Sequence, residues 1–94
     1  MASMGPIHPG MHLAEMLEEL QVTQYRLART VGVPPRRINE IVHGRRSVTA
    51  DTALRLGRAL GMTPEFWLNL QRMYDLEVAR ATTDLSSIEP LVAT

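Results

Sequence analysis

The densest group of side chains able to grip an anion or the edge of a base lies between Pro35 and Arg46. Arg36, Arg37, Asn39, Glu40, His43, Arg45 and Arg46 fall there within a dozen positions. A guanidinium is a rigid fork of donors that bonds two acceptors at once, and so fits a phosphate or the O6 and N7 of guanine. Asn39 can bond a base edge, or it can fasten its helix to the loop that follows. Glu40 can accept from a cytosine amine, or it can orient a neighbouring arginine, which is the reading its position favours. Thr23 and Gln24, at a helix start, and Arg45 and Arg46, after Gly44, are candidates for phosphate contact. Plain solvent exposure is the alternative for these four.

Catalytic and metal chemistry find no comparable support. Ser47, Ser86 and Ser87 have no histidine and acid at a spacing that would make a nucleophile, and there is no glycine-rich phosphate loop, so no enzyme is expected. His8 and His12 are four apart, but Pro9 and Gly10 intervene and no third ligand joins them. We therefore expect no metal and no cofactor.

The pattern around the arginines requires two short helices meeting at a tight turn. Thr23 is a suitable N-cap for a helix with Leu27, Ala28 and Val31 on its inner face, and Gly32 stands where a left-handed cap is needed. Val33 then plugs the core beneath the turn. Pro34-Pro35 sets an extended approach and a proline at the first helical position, opening a helix with Ile38, Ile41 and Val42 inward and Gly44 as terminator. This is a helix-turn-helix, whose second helix enters the major groove of DNA. Arg36 and Arg37 then occupy a first helical turn, where the macrodipole disfavours each cation by about 0.3–1 kcal/mol. A bound polyanion reverses that sign. The alternative is pairing of both with Glu40 at i+4 and i+3, worth about 0.2–0.5 kcal/mol a pair.

Three more helices complete an all-α chain. Leu13, Met16, Leu17 and Leu20 recur at helical spacing with Glu15, Glu18 and Glu19 opposite, giving a first helix over about 10–20 after a break at Pro9-Gly10. Thr49 caps a fourth helix with Ala53, Leu56 and Leu60 inward, ending at Gly61. Thr63-Pro64-Glu65 repeats the cap, proline and acid signature and opens a fifth, to about Arg80. Phe66, Trp67, Leu70, Met73 and Tyr74 form its broad stripe, a core whose outer edge is a candidate dimer seam. The expected organisation is a leader over 1–9, a domain over 10–80 and a flexible tail over 81–94. Met1 to Met4 read as a cloning remnant.

Net charge is zero over 94 residues, yet the charges are segregated. Between Arg26 and Arg58 eight arginines face only Glu40 and Asp51, while the rest of the chain holds two arginines against eight carboxylates. A basic face for phosphate and an acidic face for another partner follow from that separation. With no cysteine, no secretory pattern and no long apolar run, a cytoplasmic location away from membranes is expected. A chain this short buries only roughly 60–65% of its unfolded surface, so a homodimer is expected to add burial.

The segments TQYRLARTVGV, INEIVHGRRSVTADTALRLGRALG and TPEFWLNLQRMYDLEVA resemble the HigA family of antitoxins, within the Xre/Cro helix-turn-helix repressors. The likeness spans about residues 7–80 and includes His8-Pro9-Gly10, Thr49-Ala50-Asp51 and Glu65-Phe66-Trp67-Leu68. It implies a five-helix bundle of the lambda-repressor-like type, a dimer that represses its own operon, and neutralisation of a HigB-type toxin, a ribonuclease that cleaves messenger RNA. It also implies DNA contacts from Thr23, Gln24 and the stretch Pro35 to Glu40. Family members often carry serine where this chain has Pro34, so a capping side chain is missing. Glu15, Glu18 and Glu19 are candidates for docking on the toxin, since a ribonuclease is basic where RNA lies; a solvated helix face is the alternative. A stand-alone Xre regulator with no toxin is the competing functional reading. A docking module that has lost DNA binding is disfavoured by the four arginines.

Overall fold

The computed structural model describes residues 5–93, so Met1 to Met4 and Thr94 lie outside the described residues. Five helices follow in order: α1 (Pro9–Leu20), α2 (Gln24–Val31), α3 (Pro35–Val42), α4 (Ala50–Leu60) and α5 (Pro64–Thr82). The fold is the all-α, lambda-repressor-like helix-turn-helix bundle.

Helix boundaries follow the side chains available at each end. Thr23 and Thr49 have extended backbone, and their hydroxyl oxygens accept the N–H groups of Arg26 and Thr52 at 3.0 and 3.3 Å. Gly32 and Gly61 end α2 and α4 in the left-handed conformation, φ 76° and 74°. Thr63 occupies the cap position of α5 but its side chain makes no cap bond, so the repeated signature holds only in its proline and its acid.

The extended leader ends at Pro9-Gly10 as expected: Pro9 is the first helical residue, and the imidazole of His8 caps α1, Nδ1 accepting the Gly10 N–H at 2.9 Å. One local expectation is corrected. Leu20, placed on the inner stripe, is 53% exposed, because α1 ends there in a left-handed Gln21 (φ 56°) that turns the chain away. The fifth helix, expected to about Arg80, ends at Thr82, with its last turn closed by the Thr83 N–H donating to the Ala79 carbonyl at 2.8 Å.

One core serves all five helices. Leu13 and Leu17 of α1, Leu27, Ala28 and Val31 of α2, Ile38 and Ile41 of α3, Ala53 and Leu56 of α4 and Trp67 of α5 are buried, with Val33 and Val48 sealing the turns on either side of α3. Gly10 permits the closest approach, since a methyl there would overlap the Ile41 carbonyl oxygen. The start of α1 thus lies directly on the end of α3. By contrast, every described residue from Ala79 onward is exposed, and the Cα radius of gyration, 16.3 Å, exceeds the roughly 12 Å of a compact chain of this length. The end of α5 and the segment after it stand away from the body.

Candidate nucleic-acid interface

The turn between α2 and α3 is three residues long, Gly32, Val33 and Pro34. It is pinned by the Gly32 and Val33 N–H groups, which both donate to the Ala28 carbonyl, at 2.9 and 3.0 Å. A further bond comes from α4: the Arg55 guanidinium donates to the Val31 carbonyl at 2.6 Å and to Asp51 at 2.9 Å. Arg55 therefore holds the motif together rather than adding to a basic face. Pro34 supplies no side-chain cap, and the approach to α3 is fixed instead by two ring-restricted residues and the Arg37 N–H bonded to the Pro34 carbonyl at 2.9 Å.

With Ile38 and Ile41 wholly buried, the opposite face of α3 is turned outward. Pro35, Arg36, Asn39 and His43 are exposed, while Arg37 and Glu40 are half-buried. Glu40 sits between two guanidinium groups, accepting from Arg46 Nε at 2.9 Å and from Arg36 Nε at 3.2 Å. The Arg46 hydrogen bond, helped by that from Arg36, holds the Glu40 carboxyl below its ordinary value. Glu40 is thus placed to orient arginines. Among the described residues Arg37 forms no ion pair, so its fork of donors is uncommitted.

Asn39 does not fasten α3 to the following loop as one reading had it. Its amide donates to Gln24 Oε1 at 3.2 Å, tying the outer face of α3 to the first residue of α2. The amide N–H groups of Gln24 and the hydroxyl proton of Thr23, whose oxygen is an acceptor in the cap, remain available to donate. His43 caps the end of α3, with Nδ1 2.8 Å from the Asn39 carbonyl and its other nitrogen facing outward. Arg45 and Arg46 follow a left-handed Gly44 (φ 72°), with the Arg45 N–H reaching back to the Glu40 carbonyl at 2.8 Å.

Nine of the ten residues expected at the interface therefore lie on α2, α3 or the loop that follows, and the tenth, Thr23, caps α2. Gln71 escaped the sequence reading: buried on α5, it accepts the Val48 N–H of the α3–α4 loop across 23 positions, while His8, weighed there only as a metal ligand and in the family likeness, is buried against Gly44. The pair His8 and His12 does not converge. His8 packs edge-on to Tyr74 (4.9 Å between ring centres) and His12 faces Phe66 (6.5 Å). Glu15, Glu18 and Glu19 are all exposed on α1.

A buried inner face, a three-residue turn and an outward second helix rich in arginine define a DNA-binding helix-turn-helix protein. Residues 13–68 match the family profile HTH_3, Helix-turn-helix. Virulence-associated protein I of Dichelobacter nodosus is 48% identical over 77 residues, covering 81% of this chain and 71% of its own length. An addiction module antidote protein of the HigA family from Coxiella burnetii is 45% identical with a TM-score of 0.86, covering 93% of this chain and 99% of that one. Antitoxin HigA of Pseudomonas aeruginosa, solved with the higBA promoter, is 41% identical with a TM-score of 0.87, covering 93% and 99%. The chain belongs to the helix-turn-helix family, in its HigA-type antitoxin branch. Among the described residues no helix is long and apolar enough to cross a membrane.

Proposed function

We propose that this chain is an antitoxin and autorepressor that binds the operator of its own operon as a homodimer and neutralises a HigB-type, mRNA-cleaving toxin. The observation that carries the DNA half is the outward face of α3, where Arg37 forms no ion pair among the described residues and Arg36 and Arg46 are held side by side by Glu40. Thr23, Gln24, Pro35, Arg36, Arg37, Asn39, Glu40, His43, Arg45 and Arg46 form the contact surface. The relative from Pseudomonas aeruginosa solved with promoter DNA supports this assignment. Two copies set their third helices about 34–36 Å apart in successive major grooves of an inverted repeat. Such a pair occupies the promoter and excludes polymerase.

The antitoxin half rests on the family, with Glu15, Glu18 and Glu19 offered to a basic ribonuclease surface on a helix not used for DNA. The deciding experiment is co-purification with the product of the adjacent gene, with and without promoter DNA. Retention of a small basic protein that is lost on charge reversal of the three glutamates supports the proposal. Promoter binding with no protein captured identifies a stand-alone Xre regulator instead.

A further inference from the structure

The loop that carries Arg45 and Arg46 joins α3 to α4 without a helix of its own, yet it is held from behind at two points. Gln71 of α5, only 6% exposed, accepts the Val48 N–H on Oε1 at 2.8 Å and donates from Nε2 to Asp75 Oδ1 at 2.8 Å. His8, only 7% exposed, lies against Gly44 and edge-on to Tyr74, with its Nδ1 accepting the Gly10 N–H.

We infer that Gln71, set by Asp75, is a positioning residue for DNA binding: it holds the α3–α4 loop so that Arg45 and Arg46 face the backbone of the duplex, without itself touching DNA. The geometry supports this division of labour. Val48 has no helical partner for its N–H, and Gln71 is its only acceptor among the described residues. The Gln71 amide could rotate and offer its N–H groups instead, were its nitrogen not taken by the Asp75 carboxylate. Asp75 therefore selects which end of the amide meets the loop. The arginines lie two and three residues before Val48, too close along the chain to keep their direction if that anchor is lost.

The inference rests on the DNA-binding reading, and its test separates the two. Operator and random-duplex affinities are measured by fluorescence anisotropy across salt at low temperature. The full chain is compared with Gln71→Ala, Gln71→Glu, the double variant Gln71→Glu/Asp75→Asn, and Arg46→Ala. In the double variant the new carboxylate still accepts the Val48 N–H and the new amide donates to it, so both bonds return, the one between positions 71 and 75 with reversed polarity, at unchanged net charge. Gln71→Ala and Gln71→Glu are expected to lose about tenfold in operator affinity and to flatten the salt slope by about one to two, as Arg46→Ala does, since each lost phosphate contact removes about 0.9 from the slope. The double variant is expected to recover the original slope. A fold defect alone lowers the melting temperature and leaves the slope of the folded fraction unchanged; that result overturns the inference, as does a folded double variant that stays flat. Should Gln71→Ala fail to fold, Gln71→Glu against the double variant makes the same comparison. If the unaltered chain binds no duplex, or Arg46→Ala leaves its slope intact, the DNA assignment of this loop falls first and takes the inference with it.

Discussion

Glu40 accepts hydrogen bonds from Arg36 at 3.2 Å and from Arg46 at 2.9 Å, so the first turn of the recognition helix and the loop beyond its end are joined through one carboxylate. Two guanidinium groups are thereby restrained in direction. Glu40→Gln releases both and removes a negative charge from the face presented to DNA. Affinity for random duplex is expected to rise several-fold with a steeper salt slope, while the ratio of operator to random binding falls. Parallel titrations on the two duplexes measure this, and an unchanged ratio would show that Glu40 orients nothing of consequence.

Arg37 and Arg36 should behave differently despite their adjacency. Arg36 shares Glu40, whereas Arg37 forms no ion pair among the described residues and is half-buried against the body of the protein, which limits its rotamers. A restrained, unpaired fork is better suited to read a base. Arg37→Ala is expected to cost about 1–3 kcal/mol on operator and little on random DNA, and Arg36→Ala to weaken both. Equal losses for Arg37→Ala on the two duplexes would assign it to the phosphates.

His8 gives the domain a defined acid sensitivity. Burial holds its pKa below the ordinary value of 6.5, against smaller opposing contributions from Asp75 and the Arg46 backbone. Of the elements packed on the ring, α5 brings Tyr74 and Asp75 and the α3–α4 loop brings Arg46. Because the unfolded chain binds the proton more readily, the contribution of neutral His8 is present above pH 6.5 and is lost as pH falls from there through the depressed folded value. Protonation also removes the acceptor that caps α1. His8→Asn keeps a capping acceptor that does not titrate, so its melting temperature is expected to fall less than that of the unaltered chain between pH 7 and pH 5. Identical pH profiles for the two would exclude His8 as the sensor.

The local signals were legible and the distant ones were not. Thr23, Gly32, Pro35, Thr49 and Gly61 mark helix ends through their own backbone preferences, and the structure uses each where its chemistry suggested. The outward face of α3 followed from the burial of Ile38 and Ile41 three apart. Gln71 to Val48 and Arg55 to Val31 join residues 23 and 24 positions apart, and no periodicity announces such a bond. The packing role of Gly10 was hidden for the same reason: it lies in the Ile41 carbonyl that the glycine admits, not in its neighbours along the chain. Thr63, whose type and place both suit a cap, makes no side-chain bond, so a correct signature can still be unused.

Gly10→Ala tests the contact between α1 and α3 directly. The added methyl meets backbone rather than a flexible side-chain end, so the two helices must separate. A loss of about 1–3 kcal/mol is expected from such overpacking, and with it a melting temperature lower by about 4–8 °C for each kcal/mol in a domain of this size. Alanine is otherwise the better helix former. A variant as stable as the parent would mean that α1 does not lie on Ile41 in solution.

Met73 and Leu76 lie one helical turn apart on α5, 64% and 48% exposed, where the helix leaves the body of the domain. The two side chains stand on the side of α5 turned away from the buried Trp67 and Gln71, and an exposed apolar pair there is a candidate surface for a second copy. Introducing glutamate at both places charges into any apolar seam without disturbing the core, and the thermal stability of the isolated fold is expected to change little. Sedimentation should then report a monomer. Binding to the full inverted repeat should fall by about a hundredfold or more, because the second half-site no longer gains from the first being occupied. Binding to a single half-site should hardly change. A doubly substituted chain that still sediments as a dimer would place the seam elsewhere on the molecule.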